Sequence, residues 1–233
     1  MEKSGGIIFL SNELLAALQL SDSTFPSGGF AFSQGLEAAH RRSDEIGRFD
    51  LEGFIENQIR HRWALGDRVA LVRAYRLSTS LKELEALDRE IEASLAIEPL
   101  RKGSQRNGGA LLLTFERMGN ERAGQYRSRI RSGTAIGHLP IAQALVWYDQ
   151  NLSEQTVVAI SGYQCISNIT AAAVRMGLVG AIDVQRIIKR LLPIITVESR
   201  REVAVGELIS SFVPLSEIAL CLPNKSGQKL FSN

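Results

Sequence analysis

The stretch LKELEALDREIEASLAIE, residues 81–98, sets Leu84, Leu87, Ile91 and Leu95 three and four residues apart with acids between them. That is the apolar stripe of an amphipathic helix, not the alternation of a half-buried strand. Ser78-Thr79-Ser80 breaks the chain before it and Pro99 stops it. The same spacing continues in both directions. Ser11 is placed to cap a helix carrying Leu14, Leu15 and Leu18, and Asp50 to cap one whose face is Phe54, Ile55, Gln58, Ile59 and Arg62. Asp67 begins a third, with Leu71, Val72 and Tyr75. Further helices are predicted at 104–118, 120–131, 139–149, 154–175, 183–196 and 198–211, separated by Gly119, Gly133 to Gly137, Gly177 to Gly180 and Pro214. The predicted fold is all-α, a single-domain bundle of about ten helices with no sheet, its neighbours antiparallel because the breaks are short. It spans 11–220, between a flexible N-terminal segment, 1–10, and a mobile C-terminal tail, 221–233. In that tail Leu230 and Phe231 alone cannot offset an ordering cost of about 1–2 kcal/mol per residue.

Composition agrees with a globular chain: 233 residues, 45% hydrophobic and 22% charged, exclude collagen, coiled coil and general disorder. A net charge of +2 names neither nucleic acid nor a membrane as partner. Cys165 and Cys221 have no neighbouring thiol, which excludes a disulfide framework and points to a reducing, cytoplasmic setting. Val157 to Val174, the most apolar run, is interrupted by Ser161, Gly162, Gln164, Ser167 and Asn168, and is not expected to span a membrane. Ile7-Ile8-Phe9-Leu10 is too short for a signal-peptide core.

Local charge is uneven. Residues 81–98 hold six acids and two bases, net −4, and residues 101–131 hold eight bases and two acids, net +6. Solvated helix faces, facing each other or not, account for this, and so does a docking surface for an acidic protein or for phosphate. Nucleic acid is disfavoured, because 101–131 offers only Phe115 and Tyr126 for stacking and has no finger or helix-turn-helix signature.

No catalytic constellation emerges. His40, His61 and His138 are far from one another and from both cysteines, so no metal-ligand spacing is present. There is no Gly-x-Ser-x-Gly elbow, and Cys165 sits within the most apolar helix, the setting of an inert thiol. No enzyme class emerges from the residues, and none of them is assigned as a catalytic, cofactor or metal residue; an unrecognised small-molecule enzyme would need a pocket that sequence does not display.

The unusual segment is 21–37, SDSTFPSGGFAFSQGLE, where turn formers alternate with aromatics and run into a helix. Pro26 fixes one backbone angle, and Gly28 and Gly29 permit reversal between Phe25 and Phe30. Phe32, Leu36 and Ala39 share a helix face, while Ser33 and Gly35 are small enough to admit another backbone, Gly35 weakening that helix. A phosphate site is disfavoured: no Gly-Lys-Ser/Thr ending follows, and no Lys or Arg occurs between Lys3 and Arg41. A tight interhelical corner and a partner-facing loop both remain open.

Ser21-Asp22-Ser23, Phe25-Pro26, Gly28-Gly29-Phe30 and Ser33-Gln34-Gly35-Leu36-Glu37 resemble the N-terminal hallmark of the UreF family of urease accessory proteins. Leu100-Arg101 with Ser104 and Gly108 is similar to a second family segment, and His138-Leu139-Pro140-Ile141-Ala142 to a third. Asp67, Ala74, Tyr75, Tyr163, Ser167-Asn168, Ala172-Ala173, Arg175, Gly180 and Gln185 extend the likeness over about 11–219. Cys165 stands where the family usually has Trp, and Ala181 where it usually has Gln; of the family's C-terminal pattern only Leu230-Phe231 match.

The resemblance implies a homodimeric, non-catalytic adaptor that binds a D- or H-type accessory protein and a G-type GTPase. Apo-urease receives nickel through that assembly in a GTP-dependent step, nickel and GTP being handled by the partner complex rather than bound here. Partner contacts fall, by resemblance, on Ser23, Phe25, Pro26, Gly28, Gly29, Phe30, Ser33, Gly35, Leu36, Glu37, Arg101, Ser104, Tyr163, Arg175, Leu230 and Phe231. The alternative is a diverged helical interaction module no longer active in nickel insertion.

Overall fold

Side-chain oxygens set four of the helix starts. Asp50 accepts from the Gly53 amide at 3.0 Å, Ser80 from Glu83 at 3.3 Å, Asn120 from Ala123 at 2.7 Å and Ser153 from Thr156 at 3.3 Å, each satisfying one of the donors a first turn leaves free. The computed structural model describes residues 12–22, 24–27, 34–43 and 49–221. Their elements are α1 (Asn12–Ser21), α2 (Leu36–Ser43), α3 (Leu51–Asn57), a π-helical segment (Gln58–Asp67), α4 (Arg68–Arg76), α5 (Leu81–Ser94), α6 (Glu98–Arg117), α7 (Glu121–Arg131), α8 (Leu139–Asp149), α9 (Glu154–Arg175), α10 (Ala181–Arg200) and α11 (Pro214–Cys221). No strand occurs among the described residues, and the fold is a single all-α domain.

α8 and α9 form the centre. From Pro140 to Trp147 every residue of α8 is buried, enclosed by α4 and α6. α9 packs on α10, α4, α1 and the π-helical segment. Gly162 makes this possible: a Cβ there would lie 2.8 Å from both Trp63 and Ile195, so only glycine lets the three elements approach. The Trp63 indole N–H donates to Ser161 Oγ at 3.1 Å, satisfying a polar group deep in the core. α9 is also the one described helix long and apolar enough to cross a membrane, but 61% of its most apolar window is buried inside the protein, which is the signature of a core helix.

Three sequence expectations are corrected. Asp67 does not begin a helix: its backbone is helical and its side chain caps nothing, because α3, the π-helical segment and α4 run on without a break from Leu51 to Arg76. The helix expected at 104 starts at Glu98, with Pro99 in its first turn, where a missing N–H costs nothing. The helix expected over 198–211 is absent. α10 ends at Arg200, and residues 201–213 form an irregular strap across the π-helical segment and α4. The reason is tertiary: Arg68, Arg76 and Arg73 donate to the Arg201, Val203 and Glu207 carbonyls at 2.6, 2.8 and 3.0 Å, taking up acceptors that a helix would have used internally.

Candidate interaction surface

The described part of the 21–37 segment is a locally organised turn. Asp22 Oδ1 accepts from the Thr24 amide at 2.7 Å and from its hydroxyl, an Asx-type turn; these bonds hold its carboxyl below the usual range. The Phe25 ring meets Phe115 of α6 at 5.9 Å between centroids, and the Pro26 carbonyl accepts from Thr114 Oγ1 at 2.8 Å. The turn is thereby fastened to α6 while Pro26 itself stays exposed.

At the far end Gln34 and Gly35 are both left-handed, with φ of 52° and 84°. Gly35 lies ahead of α2 and is required by the turn; it does not sit within the helix it was expected to weaken. A Cβ on Gly35 would sit 3.4 Å from Ser216 and Leu220 of α11, so the small residue admits that helix. Gln34 is buried and its carbonyl oxygen accepts from the Cys165 thiol at 3.8 Å. Leu36 is fully buried and Glu37 is buried in an ion pair with Arg41. Ser23, Gly28, Gly29, Phe30 and Ser33 lie outside the described residues, as do Leu230, Phe231 and the segments 1–11 and 222–233.

Arg101 and Ser104 belong to a second, internal cluster. Ser104 Oγ accepts from the Leu139 amide at 3.1 Å, and Arg101 donates to the Leu95 carbonyl at 2.9 Å while facing Glu92 at 3.5 Å. Beside them the Asp88 carboxylate, fully buried, accepts from the amides of Ile136, Gly137 and His138 at 2.9, 2.7 and 3.1 Å, and from the Tyr126 hydroxyl at 2.9 Å. Burial and that carboxylate drive the Tyr126 phenol well above its ordinary range. His138 Nε2 lies 2.8 Å from Glu92. A Cβ on Gly108 would come within 2.1 Å of the Gly137 carbonyl, so the second and third motif segments meet where α6 crosses the entry to α8. The two charge-biased segments also meet, through Glu85 with Arg129 and Glu92 with Arg101.

Tyr163 lines an open groove of about 360 Å³ between α1 and α9, together with Ala17, Leu18, Ala159 and Ile160. At its upper end Glu13 accepts from the Ser153 amide at 2.9 Å and from the Ser153 and Thr156 hydroxyls. Those bonds at the N-terminus of α9 lower its carboxyl to about 2. Arg175 is exposed in the last turn of α9.

Sequence reasoning missed one surface. Val205, Leu208 and Phe212 of the strap and Leu215 and Ile218 of α11 are all more than half exposed. The available signal was the run of apolar residues itself, of which Val205 and Leu208 fall within the span expected as a helix over 198–211. Among the described residues no three His, Cys, Asp or Glu side chains converge as metal ligands. Cys165 is buried and its thiol is pushed up to about 12, chiefly by desolvation, which leaves it protonated and unreactive. Among the described residues the arrangement offers surfaces and fixed turns suited to association.

Comparison with known proteins points to one family. The family described as UreF matches residues 47–192. A urease accessory protein UreF of Trichodesmium erythraeum is 30% identical across 95% of this chain and 97% of its own length. The protein of that name from Bacillus sp. (strain TB-90) is 29% identical over 79% of this chain and 82% of its own. That from Yersinia pseudotuberculosis serotype IB is 26% identical over 96% and 99%.

Proposed function

Because the chain belongs to the UreF family of urease accessory proteins, we propose that it is a non-catalytic adaptor for the nickel-dependent maturation of urease, working in the cytoplasm. It joins a D- or H-type accessory protein and a G-type GTPase, and acts as a homodimer. Nickel is cargo in this reading and GTP is the GTPase's ligand; neither is resident in this chain. The near end-to-end match to a protein named for urease accessory function carries the reading. Support comes from the site's chemistry: the turn is pinned to α6 through Phe25 and the Pro26 carbonyl, so it presents a fixed shape.

Within the adaptor, Phe25, Pro26, Tyr163 and Arg175 belong to exposed or half-buried surface and are the described residues assigned to partner contact. Arg101 and Ser104, committed to contacts inside the chain, serve by holding the α6 to α8 crossing. The test is assembly from purified components. This chain, the D- or H-type protein and the GTPase with GTP should co-elute as one species larger than any pair. Failure of this chain to bind either protein would overturn the proposal.

A further inference from the structure

We propose that residues 201–221, the strap with α11, form a lid that opens from the bundle as one unit, with the arginine row of α4 as its catch. This stands apart from the functional reading above and would survive its failure. The lid is attached mainly through its backbone. Three of its carbonyls take bonds from Arg68, Arg76 and Arg73, and its Ser210 and Phe212 amides donate to the Leu65 and His61 carbonyls of the π-helical segment, both at 3.1 Å. α11 is secured by a side-chain bond from Gln58 Nε2 to Ser216 Oγ at 2.7 Å and by packing along α2, where Ser216 and Leu220 lie against Gly35. Apolar attachment is thin by comparison. Val203, Val213 and Ala219 are buried and Ile209 packs partly against the core, whereas Val205, Leu208, Phe212, Leu215 and Ile218 are exposed. A segment held by a few hydrogen bonds and little buried apolar surface lies at the low end of local stability.

The catch remains set when the lid is away. Arg73 is held by both oxygens of Glu90 on α5, at 2.6 and 2.7 Å, and Arg76 by both oxygens of Glu154 on α9, at 2.9 Å each. Neither guanidinium needs the strap for its orientation, so closure re-forms the bonds without reordering long side chains. The strap likewise keeps its own shape: Glu207 accepts from the Ala204 amide at 2.9 Å and from Arg201 at 3.0 Å, closing a small loop around Gly206. The seat is fitted to backbone. A Cβ on Gly66 would come within 2.8 Å of the Ser210 carbonyl oxygen, so glycine is what allows the strap to lie on the π-helical segment.

Residue-resolved amide exchange on the full chain tests this. In the wild type, Ser210 and Phe212 should exchange much faster than Leu145 and Val146 of α8, and with the α11 amides as one group. Arg73→Ala, which removes one charged bond to the strap, should speed the Ser210 and Phe212 amides about tenfold while leaving α8 exchange and the unfolding midpoint in place. Gly66→Ala should produce the same local signature by spoiling the seat. Exchange of Ser210 and Phe212 in step with α8 in the wild type, or an equal acceleration of α8 in Arg73→Ala, would overturn the lid.

Discussion

Asp88 accepts four hydrogen bonds in a site closed to water, and a buried donor that loses its acceptor costs about 1–3 kcal/mol. Asp88→Ala should therefore lower stability by roughly 3–5 kcal/mol, allowing for partial rescue by water, seen as a lower urea midpoint. Gly108→Ala should be comparably damaging, by about 2–4 kcal/mol, because the Gly137 carbonyl in its way is backbone at a packed crossing and cannot rotate aside. An unchanged midpoint in either variant would contradict the packing described at the α6 to α8 crossing. Glu13 gives a pH prediction with a definite sign. The Ser153 and Thr156 bonds lower its folded carboxyl from the ordinary 4.5 to about 2, so its contribution is complete above about pH 4.5 and fades as pH falls towards 2. The group is largely solvated, which keeps the effect small and local. Amide protection in α1 should decline over that acid range in the wild type and be pH-insensitive there in Glu13→Gln.

Among the elements, those with explicit start signals were legible. Ser153 ahead of Glu154, and His138-Leu139-Pro140, put α8 and α9 where the sequence placed them, because capping and proline geometry are local. The strap was not legible. Val203, Val205, Leu208, Ile209 and Phe212 have spacings compatible with a helix, and it is arginines more than a hundred residues away that take up the carbonyls of Arg201, Val203 and Glu207 in the same segment. The π-helical segment was hidden too. Ile55, Gln58, Ile59 and Arg62 are buried as the periodicity requires, and i→i+5 bonding leaves no mark on so short a pattern. α10 carries Pro193 on its exposed side, where the ring removes one intrahelical bond. Pro193→Ala should raise stability by about 1–2 kcal/mol, the restored bond outweighing the greater freedom of the unfolded chain; a lower melting temperature would show that the proline shapes a contact the bundle needs.

For the whole molecule, composition and period sufficed to read an all-α bundle, and the N-terminal hallmark sufficed to reach the family, because both signals are carried by contiguous residues. The roles of the motif residues were less accessible. Arg101 and Ser104 read in sequence as partner-contact positions and Gly108 and His138 as parts of separate motif segments, yet all four converge on one internal crossing, a juxtaposition that only the fold creates. The opposite charges of 81–98 and 101–131 are likewise partly spent on each other, in Glu85 with Arg129 and Glu92 with Arg101. Under the proposed function, the surfaces open to a partner among the described residues include the pinned turn, the α1–α9 groove and the exposed apolar residues of 205–218. The central claim is that this chain acts by assembling urease maturation without chemistry of its own. Urease activation reconstituted at fixed nickel, bicarbonate and GTP, with and without this chain, tests it most directly. The account predicts active urease only when the chain is present alongside the D- or H-type protein and the GTPase, and equal activation in its absence would contradict it.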